Sequence, residues 1–365
     1  MKVAIISSDT QKFTKNTNST LAEIASRSII SLLVKSKIQK TEIDGLIVST
    51  NSVEPYVSNI ISEMVGLKLK VSTKVENLCN SGTSGILLAY SLIQSGMCNA
   101  ILVTGAEKQD SPGNKLIWDI SRGLYDMPVH WASLYANNHF RKFGTNAEDL
   151  ALISLKNHRN ANKNPNAIFF DKTFTFSQII GAVEVASPLR KFDCCYPCEG
   201  VSSILLVSEE LSVRFEQPIW ISGISQNNQG ASIASIAGSL DSIISTKIAA
   251  KEAFRQADLS PSDIDIAELH DAFSILEIMA YEDIGFVSKG NGKRMSKEYQ
   301  LSTNKRGGLL GCGHPIGATG IDQTSEIVLQ LQGLAGQRQV ENANIGLVHN
   351  MAAAGTSTTI IILRN

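Results

Sequence analysis

The chain repeats one helix–strand pattern, and this repeat limits its fold more than any other feature of the sequence. Residues 21–50 predict a helix, a short turn and a strand-like run that begins at Glu42. Residues 246–271 predict the same order, with a strand-like run that begins at Asp263. In both copies an acidic residue is followed by Ile-Asp, which aligns the two strands with each other.

A second pair of matching segments follows within the two halves. Residues 84–105 predict a helix and then an apolar strand, and residues 319–349 predict the same two elements. Helices that alternate with short apolar strands are typical of α/β layers in which the strands are buried. Two such halves predict a duplicated α/β fold with a pseudo-twofold axis.

The segment between the halves, 111–217, does not follow the repeat. Helical stretches at 132–143 and 146–160 alternate with polar loops. We interpret the segment as a loop domain folded over the first half, since inserted loops often cover an active site. The predicted division is therefore 1–110 for the first half, 111–217 for the inserted loop domain and 218–365 for the second half.

Composition excludes several classes of function. The formal net charge is −1, and no run of lysine or arginine is dense enough for a nucleic-acid or membrane-surface site. No stretch approaches the roughly 20 apolar residues of a membrane span, and the first residues read as a short strand rather than a signal peptide. The 6 cysteines are scattered, which favours free thiols in a reducing, cytoplasmic setting.

Cys79 lies at a predicted strand-to-helix turn, after the strand-like run 71–75 and before a helix that begins near Gly82. Small residues allow such a sharp turn. The sulfur would then lie at a helix N-terminus, where the dipole and free N–H groups favour a thiolate. The alternative is a buried structural cysteine, but the turn and the distant histidine loops favour a nucleophile.

Three histidines accompany the cysteine in positions that suit catalysis. His314 lies in a glycine-rich loop, and Pro315 restricts it to an extended conformation, as suits a fixed base rather than a solvent-facing side chain. His270 ends an apolar strand, where an imidazole N–H can donate to a thioester oxygen or can simply be a satisfied core histidine. His349 precedes a small-residue loop that ends at Gly355, which predicts either an oxyanion hole or a tight turn.

Together these segments resemble the thiolase family over nearly the whole chain. The resemblance depends on Cys-x-Ser-Gly at Cys79, Gly-His-Pro-x-Gly-Ala-Thr-Gly at His314 and the terminal loop that ends at Gly355. The run His270-Asp271-Ala272-Phe273 looks like the sterol-carrier-protein and archaeal types of acetyl-CoA acetyltransferase. The resemblance implies a five-layered αβαβα thiolase fold with an inserted loop domain.

The resemblance also implies an activity, namely reversible Claisen condensation or thiolytic cleavage of acyl-CoA thioesters. Cys79 would become acylated, His314 would activate it, and His270 would help to bind the thioester oxygen. His349, Met351 and Gly355 would belong to the oxyanion and substrate-binding loop. The implied substrates are coenzyme A and acetyl-CoA, acetoacetyl-CoA or another 3-ketoacyl-CoA, with no metal or prosthetic group.

One departure from the family concerns its second cysteine, the acid and base at the α-carbon. The two positions where thiolases carry it hold His349 and Ala272 here. We predict that Cys312, two residues before His314, takes this role, with a loop cysteine of no function as the alternative. The terminal loop also carries Met351 and alanines where thiolases usually have more glycine.

Partners and metals complete the expectations. The family implies a homodimer or a dimer of dimers. Neither a nucleic acid nor a membrane is expected as a partner. Alternatives are a subunit that works with 3-hydroxy-3-methylglutaryl-CoA synthase through a small acyl-CoA-binding bridging protein, or a non-catalytic subunit, which the retention of Cys79 and His314 disfavours. The run 194–198 contains three cysteines, but it lacks a zinc-ribbon spacing and is interpreted as structural.

Overall fold

The computed structural model describes residues 2–108, 127–233, 240–295 and 301–365. Its strands are β1 (Val3–Thr10), β2 (Gly45–Ser49), β3 (Val71–Val75), β4 (Ala100–Glu107), β5 (Glu184–Ala186), β6 (Leu189–Arg190), β7 (Gly200–Ser208), β8 (Ile219–Asn228), β9 (Ile266–Glu268), β10 (Ser302–Thr303), β11 (Ile345–Ala352) and β12 (Ser357–Arg364). Its α-helices are α1 (Leu21–Ser36), α2 (Val57–Val65), α3 (Ser81–Gln94), α4 (Val129–Phe143), α5 (Ala147–Ala161), α6 (Phe176–Ile180), α7 (Glu209–Ser212), α8 (Ile244–Ala257), α9 (Ser274–Ile284), α10 (Gly308–Cys312) and α11 (Ile316–Leu331).

The strand order confirms the duplication. Ten strands run in the order β10-β9-β11-β12-β8-β1-β7-β4-β2-β3, and β5 pairs with β6 separately. Read outward from the β8–β1 junction, the two halves contain matching strands in the same sequence. The junction itself is short, since it consists of Ala4 opposite Trp220 and Ile5 opposite Ile219. Two five-stranded halves therefore meet edge to edge.

Three apolar cores fill the four interfaces of the five predicted layers, because one core lies on both sides of the central layer. One core lies between the first-half strands and the outer helices α1 and α2. A second core brings together α3, α11 and strands from both halves, so these two helices form the central layer. The third core covers the outer face of the second half with α8 and α9. The long apolar strands are buried because helices cover both of their faces.

The two central helices touch backbone to backbone through glycines. A Cβ atom added at Gly82 of α3 would lie 2.9 Å from the amide nitrogen of Ile321 in α11. A Cβ atom added at Gly320 of α11 would lie 2.9 Å from the amide nitrogen of Thr83 in α3. Only glycine fits at such distances. This close contact brings the N-terminal ends of both helices to one place.

The inserted segment packs differently from the prediction. Its helices α4 and α5 share the third core with α9, so they cover the second half rather than the first. Strand β7 lies within 111–217 but pairs with β1 and β4 of the first half. The predicted boundary at 110 lies outside the described residues. Among the helices that the structure describes, none combines the length and apolar character needed to cross a bilayer.

Candidate active site

Cys79 and His314 lie in contact at the ends of the two central helices. Cys79 belongs to a single 3-10 turn, Leu78–Asn80, that leads directly into α3. His314 lies between α10 and α11. The Sγ atom of Cys79 is 3.2 Å from Nε2 of His314. The backbone at Leu78 has a φ of 47°, a left-handed conformation that a leucine rarely adopts and that is typical of functional turns.

Hydrogen bonds at the other ring nitrogen fix the tautomer of His314. The Thr319 hydroxyl donates to the carbonyl oxygen of Pro315, at 3.0 Å, so its oxygen must accept at its other contact. That contact is Nδ1 of His314, at 2.7 Å. The proton of the imidazole is therefore on Nδ1, and Nε2 presents its lone pair to the thiol of Cys79.

The thiol and the imidazole are both neutral in the resting site. Burial raises the pKa of Cys79 to about 12, despite two backbone N–H groups that act in the opposite direction. Burial, and then the positive charge of Arg306, lower the pKa of His314 to about 3. Desolvation of the charged form thus opposes the thiolate that the helix N-terminus was expected to favour. His314 remains a free base over the whole physiological range.

A chain of amide contacts fixes His270 in the opposite tautomer. The Gln323 side chain donates to the carbonyl oxygen of His349 at 3.2 Å, so its own oxygen accepts from Nδ2 of Asn350 at 2.9 Å. The same Nδ2 lies 3.1 Å from Nδ1 of His270 and must donate to it. Nδ1 therefore carries no proton, and Nε2–H is the donor. His270 lines the cavity beside Cys79 and His314, so this N–H can serve an oxygen there.

Two backbone N–H groups complete a second donor pair around the cysteine. The amides of Cys79 and Ala353 both hydrogen-bond to the Cys79 sulfur and lower the pKa of its thiol. Ala353 has a φ of 52°, again left-handed for a residue with a side chain. Such an arrangement of amides suits an oxyanion on a carbon bound to the sulfur. The terminal small-residue loop thus reaches the site through Ala353.

The residues predicted from that loop lie elsewhere. His349 is buried under the strand, where Nε2 contacts the Thr246 hydroxyl at 3.1 Å and Nδ1 accepts from the amide of His270 at 3.3 Å. Met351 belongs to the third core, and Gly355 packs against Ile243. None of the three lines the cavity among the described residues. Side chains alternate along β11, which is why the Asn350 side chain contacts the imidazole of His270 and those of its neighbours do not.

Cys312 also lies outside the cavity, which corrects its predicted role as acid and base. Its side chain is fully buried at the end of α10 in a small cluster with Phe13, Ala161 and Cys198. Its sulfur lies 3.7 Å from Nδ2 of Asn164 and 3.9 Å from a carboxylate oxygen of Asp322. The turn between Cys312 and His314 reverses direction at Gly313, which has a φ of 106°. Nearness in sequence therefore does not bring this thiol to the substrate.

The cavity in front of these groups has a volume of about 800 Å³ and is mostly apolar. His158 stands among three phenylalanine rings, with ring centroids 5.0 Å, 5.0 Å and 5.4 Å from its own. Trp131 and Phe273 form a separate edge-to-face pair at 5.3 Å. Among the described residues, the charged side chains in its wall are Lys108, Lys191 and Glu107. A cleft of this size and polarity is typical of small-molecule sites.

The same three side chains could also form a metal site. Among the described residues, ligand atoms of Cys79, His270 and His314 lie within 4.8 Å of one another, a grouping that suits a metal such as zinc. The same spacing is what a nucleophile, its base and an oxyanion donor require. The cysteines at 194, 195 and 198, by contrast, form no such group with one another in the described chain.

Several positioning residues escaped the sequence interpretation. Thr319 and Asn350 fix the two tautomers, and Asp271 accepts from the amide of Leu309 at 2.6 Å, which holds α10 and the loop after it. Thr319 lies within the Gly-His-Pro motif, and Asp271 follows His270 directly, so their sequence positions could have identified both residues. No sequence pattern identifies Asn350, since only the pairing of β11 with β9 brings it to His270.

Comparison with known proteins gives one family. Residues 3–177 match the model described as "Thiolase, N-terminal domain", and residues 230–365 match "Thiolase C-terminal domain-like". An acetyl-CoA acetyltransferase of Methanothermobacter thermautotrophicus is 32% identical over 99% of this chain and 98% of its own length. Human sterol carrier protein 2 is 30% identical over 77% of this chain, which corresponds to 56% of that longer protein.

Solved structures agree in fold. The structure named "Ltp2-ChsH2(DUF35) aldolase" superposes with a TM-score of 0.89 and 21% sequence identity, covering 100% of this chain and 97% of that one. At that identity the likeness shows the fold and nothing about the substrate.

Proposed function

Because the chain belongs to the thiolase family and is an acyltransferase, we propose that it cleaves and forms 3-ketoacyl-CoA thioesters through an acyl intermediate on Cys79. The observation that carries the proposal is the 3.2 Å contact between the Cys79 sulfur and the unprotonated Nε2 of His314. A thiol next to a base with a free lone pair is the arrangement needed for nucleophilic catalysis.

The first step is attack on the 3-keto carbon. As the Cys79 sulfur bonds to that carbon, its proton passes to Nε2 of His314, so charge develops only when substrate is present. The amides of Cys79 and Ala353 face the sulfur and therefore stabilise the tetrahedral oxyanion beside it. One such donor is worth roughly 3 kcal/mol of transition-state stabilisation.

The second step breaks the bond between C2 and C3. The electron pair passes to the thioester oxygen of the departing acetyl-CoA enolate, and Nε2–H of His270 is the donor positioned for that oxygen. Protonation at C2 releases acetyl-CoA. Coenzyme A then takes the acyl group from Cys79. The condensation direction reverses the same steps, with acetyl-Cys79 attacked by an enolate.

The cavity supports an acyl group larger than the acetyl unit. Pockets of roughly 300–1,000 Å³ bury whole drug-sized ligands, and the volume here is about 800 Å³ with Phe169, Phe174 and Phe192 in its wall. We therefore expect kcat/KM to be higher for a 3-ketoacyl-CoA with a long or ring-containing chain than for acetoacetyl-CoA. Equal or lower values for the larger substrates would contradict this preference.

The proposal is tested by incubating the protein with acetoacetyl-CoA, or a longer 3-ketoacyl-CoA, and coenzyme A. We expect thiolysis, and in the absence of coenzyme A an acyl adduct that peptide mapping by mass spectrometry assigns to Cys79. The matched variant Cys79→Ala should give neither. If the unmodified protein gave no adduct and no thiolysis with any 3-ketoacyl-CoA, the proposal would be wrong.

We also propose a homodimer that forms through the edge of the first half. Among the described strands β3 pairs only with β2, so its other backbone edge is open for a second copy. Cys79 follows this edge strand closely, so a partner subunit would border the site. Light scattering coupled to size-exclusion chromatography distinguishes a dimer from a monomer or a dimer of dimers.

A second candidate function is a condensing or acyl-transfer subunit of a larger complex. It is favoured by the absence of a thiol at positions 272 and 349, where thiolases carry their second cysteine. The partners would be 3-hydroxy-3-methylglutaryl-CoA synthase and a small acyl-CoA-binding bridging protein. Thiolysis by the purified chain alone supports the first function, whereas activity that appears only with co-purified partners supports the second.

A further inference from the structure

We propose that Cys195 is the second thiol of the reaction and acts as acid and base at the α-carbon, from a position opposite Ala272. The inference rests on the proposed thiolase chemistry and adds one catalytic residue to it. The sequence analysis included this residue in the run 194–198 and interpreted it as structural.

Strand-like pairing brings Cys195 to position 272. Cys194 pairs with Phe273 in an isolated antiparallel bridge. The amide of Cys195 donates to the carbonyl oxygen of Ala272 at 2.9 Å, which makes these two residues the next opposed pair. Directly opposed residues in antiparallel strands project their side chains to the same face, with Cβ atoms roughly 4.5–5.5 Å apart. A sulfur on Cys195 therefore reaches the region that a sulfur on residue 272 would occupy.

The surroundings of Cys195 are those of the reacting groups. Cys195, Ala272, His270, His314 and Cys79 all line the one cavity. Cys195 is partly exposed to it, and all the cysteines of the chain are free thiols. The short methyl group of Ala272 leaves space in front of the opposed residue. A thiol here faces the carbon that Cys79 and His270 hold between them.

Two other thiols, Cys194 and Cys198, also line the cavity, but each has contacts of its own. The Cys194 sulfur donates to the carbonyl oxygen of Arg190 at 3.6 Å. Cys198 is 2% exposed and packs against Gly313 and the Cys312 cluster. Within the described residues, Cys195 is thus the thiol best placed to meet a substrate held at Cys79.

Burial determines the resting protonation state of Cys195. It raises the pKa of Cys195 well above that of a free thiol, because a buried thiolate would lose its hydration. The resting group is therefore a thiol, as an acid requires. Cys195 becomes a thiolate only after it has given its proton to the substrate.

The proton count closes over one turnover. When the C2–C3 bond breaks, the Cys195 thiol gives its proton to C2 of the enolate and becomes a thiolate. The thiol of the incoming coenzyme A returns a proton to Cys195 and attacks the acyl carbon as a thiolate. Cys79 then leaves as a thiolate and recovers its proton from His314. In condensation, the Cys195 thiolate removes the α-proton of acetyl-CoA instead.

The test separates the two thiols by measuring two half-reactions. Acyl transfer from an acyl-CoA to Cys79 needs no proton exchange at the α-carbon, whereas exchange of the acetyl-CoA α-hydrogens with deuterium oxide does. In Cys195→Ala we expect acyl-Cys79 to form at the normal rate, and α-hydrogen exchange and thiolysis to fall by about 10²- to 10⁴-fold. In the matched control Cys312→Ala, both half-reactions should stay normal.

A rescue variant protects this test from a purely structural effect. The double variant Cys195→Ala with Ala272→Cys moves the thiol across the same opposed pair, and we expect it to recover α-hydrogen exchange. The proposal is overturned if Cys195→Ala exchanges α-hydrogens within a few-fold of the unmodified protein. It is also overturned if acylation of Cys79 falls in parallel and the double variant recovers nothing. If the unmodified protein never acylates Cys79, the proposed function itself fails and this inference falls with it.

Discussion

The two central helices occupy equivalent places in the duplicated halves, yet their N-terminal ends contribute different chemistry. In the proposed mechanism the first half supplies the Cys79 sulfur at the start of α3 and the backbone amide of the same residue. The second half supplies the base His314, the donor His270 and the amide of Ala353, together with Thr319 and Asn350, which fix them. The two halves therefore share the same arrangement of strands and helices, but they contribute different functional groups to the site.

The largest expected effect comes from removing the reactive group at either helix end. We expect Cys79→Ala to lower kcat/KM for thiolysis by about 10⁴-fold or more and His314→Gln to lower it by about 10²- to 10⁴-fold. Because the two groups act as one unit, the double variant should be no worse than Cys79→Ala alone. Steady-state thiolysis measures all three. If the loss in the double variant equalled the product of the two single losses, Cys79 and His314 would act independently.

A smaller effect is expected from the hydroxyl that fixes His314. Thr319→Val removes the acceptor for Nδ1–H and leaves the ring free to adopt the wrong tautomer, so kcat should fall about 10- to 100-fold, as for a lost buried hydrogen bond of 1–3 kcal/mol. Thr319→Ser keeps the hydroxyl and is the matched control. The rate of Cys79 acylation is the measurement. Equal rates for the valine and serine variants would contradict the role of the hydroxyl.

The contact between the two helices should contribute to stability and to alignment of the site. Gly82→Ala places a Cβ atom 2.9 Å from the backbone of α11, and we expect the free energy of unfolding to fall by about 1–3 kcal/mol, as in overpacked cores. Denaturant unfolding measures this. Gly96→Ala on the surface is a control for added volume, since nothing lies within 4 Å of its Cβ position, although its φ of 75° adds strain of its own. A Gly82→Ala protein as stable as the parent would refute close packing as the reason for this glycine.

The buried histidines of the second half should make the free energy of unfolding depend on pH. Burial lowers the pKa of His349 to about 3, whereas the unfolded value is about 6.5. Between these values the unfolded chain binds a proton that the folded chain does not, so stability falls with falling pH by up to about 1.4 kcal/mol per pH unit for this residue.

A difference measurement isolates this contribution, because burial raises the pKa of Asp271 and gives the opposite dependence. The free energy of unfolding of His349→Gln should therefore fall less steeply below pH 6.5 than that of the parent. Parallel curves for the two proteins would mean that His349 binds a proton in the folded state.

The sequence predicted the groups that carry their own pattern. The repeat predicted the duplicated layers, and the motifs around Cys79, His270 and His314 predicted three side chains that meet in one cavity. The terminal loop reaches the cavity through Ala353 rather than through His349, Met351 or Gly355, because alternation along β11 and the left-handed turn at Ala353 decide which groups face inward. The inserted helices were assigned to the wrong half, since an apolar helix face predicts burial but not the surface against which the helix packs.

The sequence by itself determined the family, the two halves and the choice of Cys79 and His314 as the proposed nucleophile and base, because each of these is encoded in local pattern and spacing. Only the tertiary structure decided the tautomers of His314 and His270, the burial that raises the pKa of Cys79, and which thiol lies opposite Ala272. Those features depend on burial and on hydrogen bonds between segments far apart in the chain. Cys312 is near His314 in sequence and Cys195 is distant from it, but it is Cys195 that a strand pairing carries into the cavity.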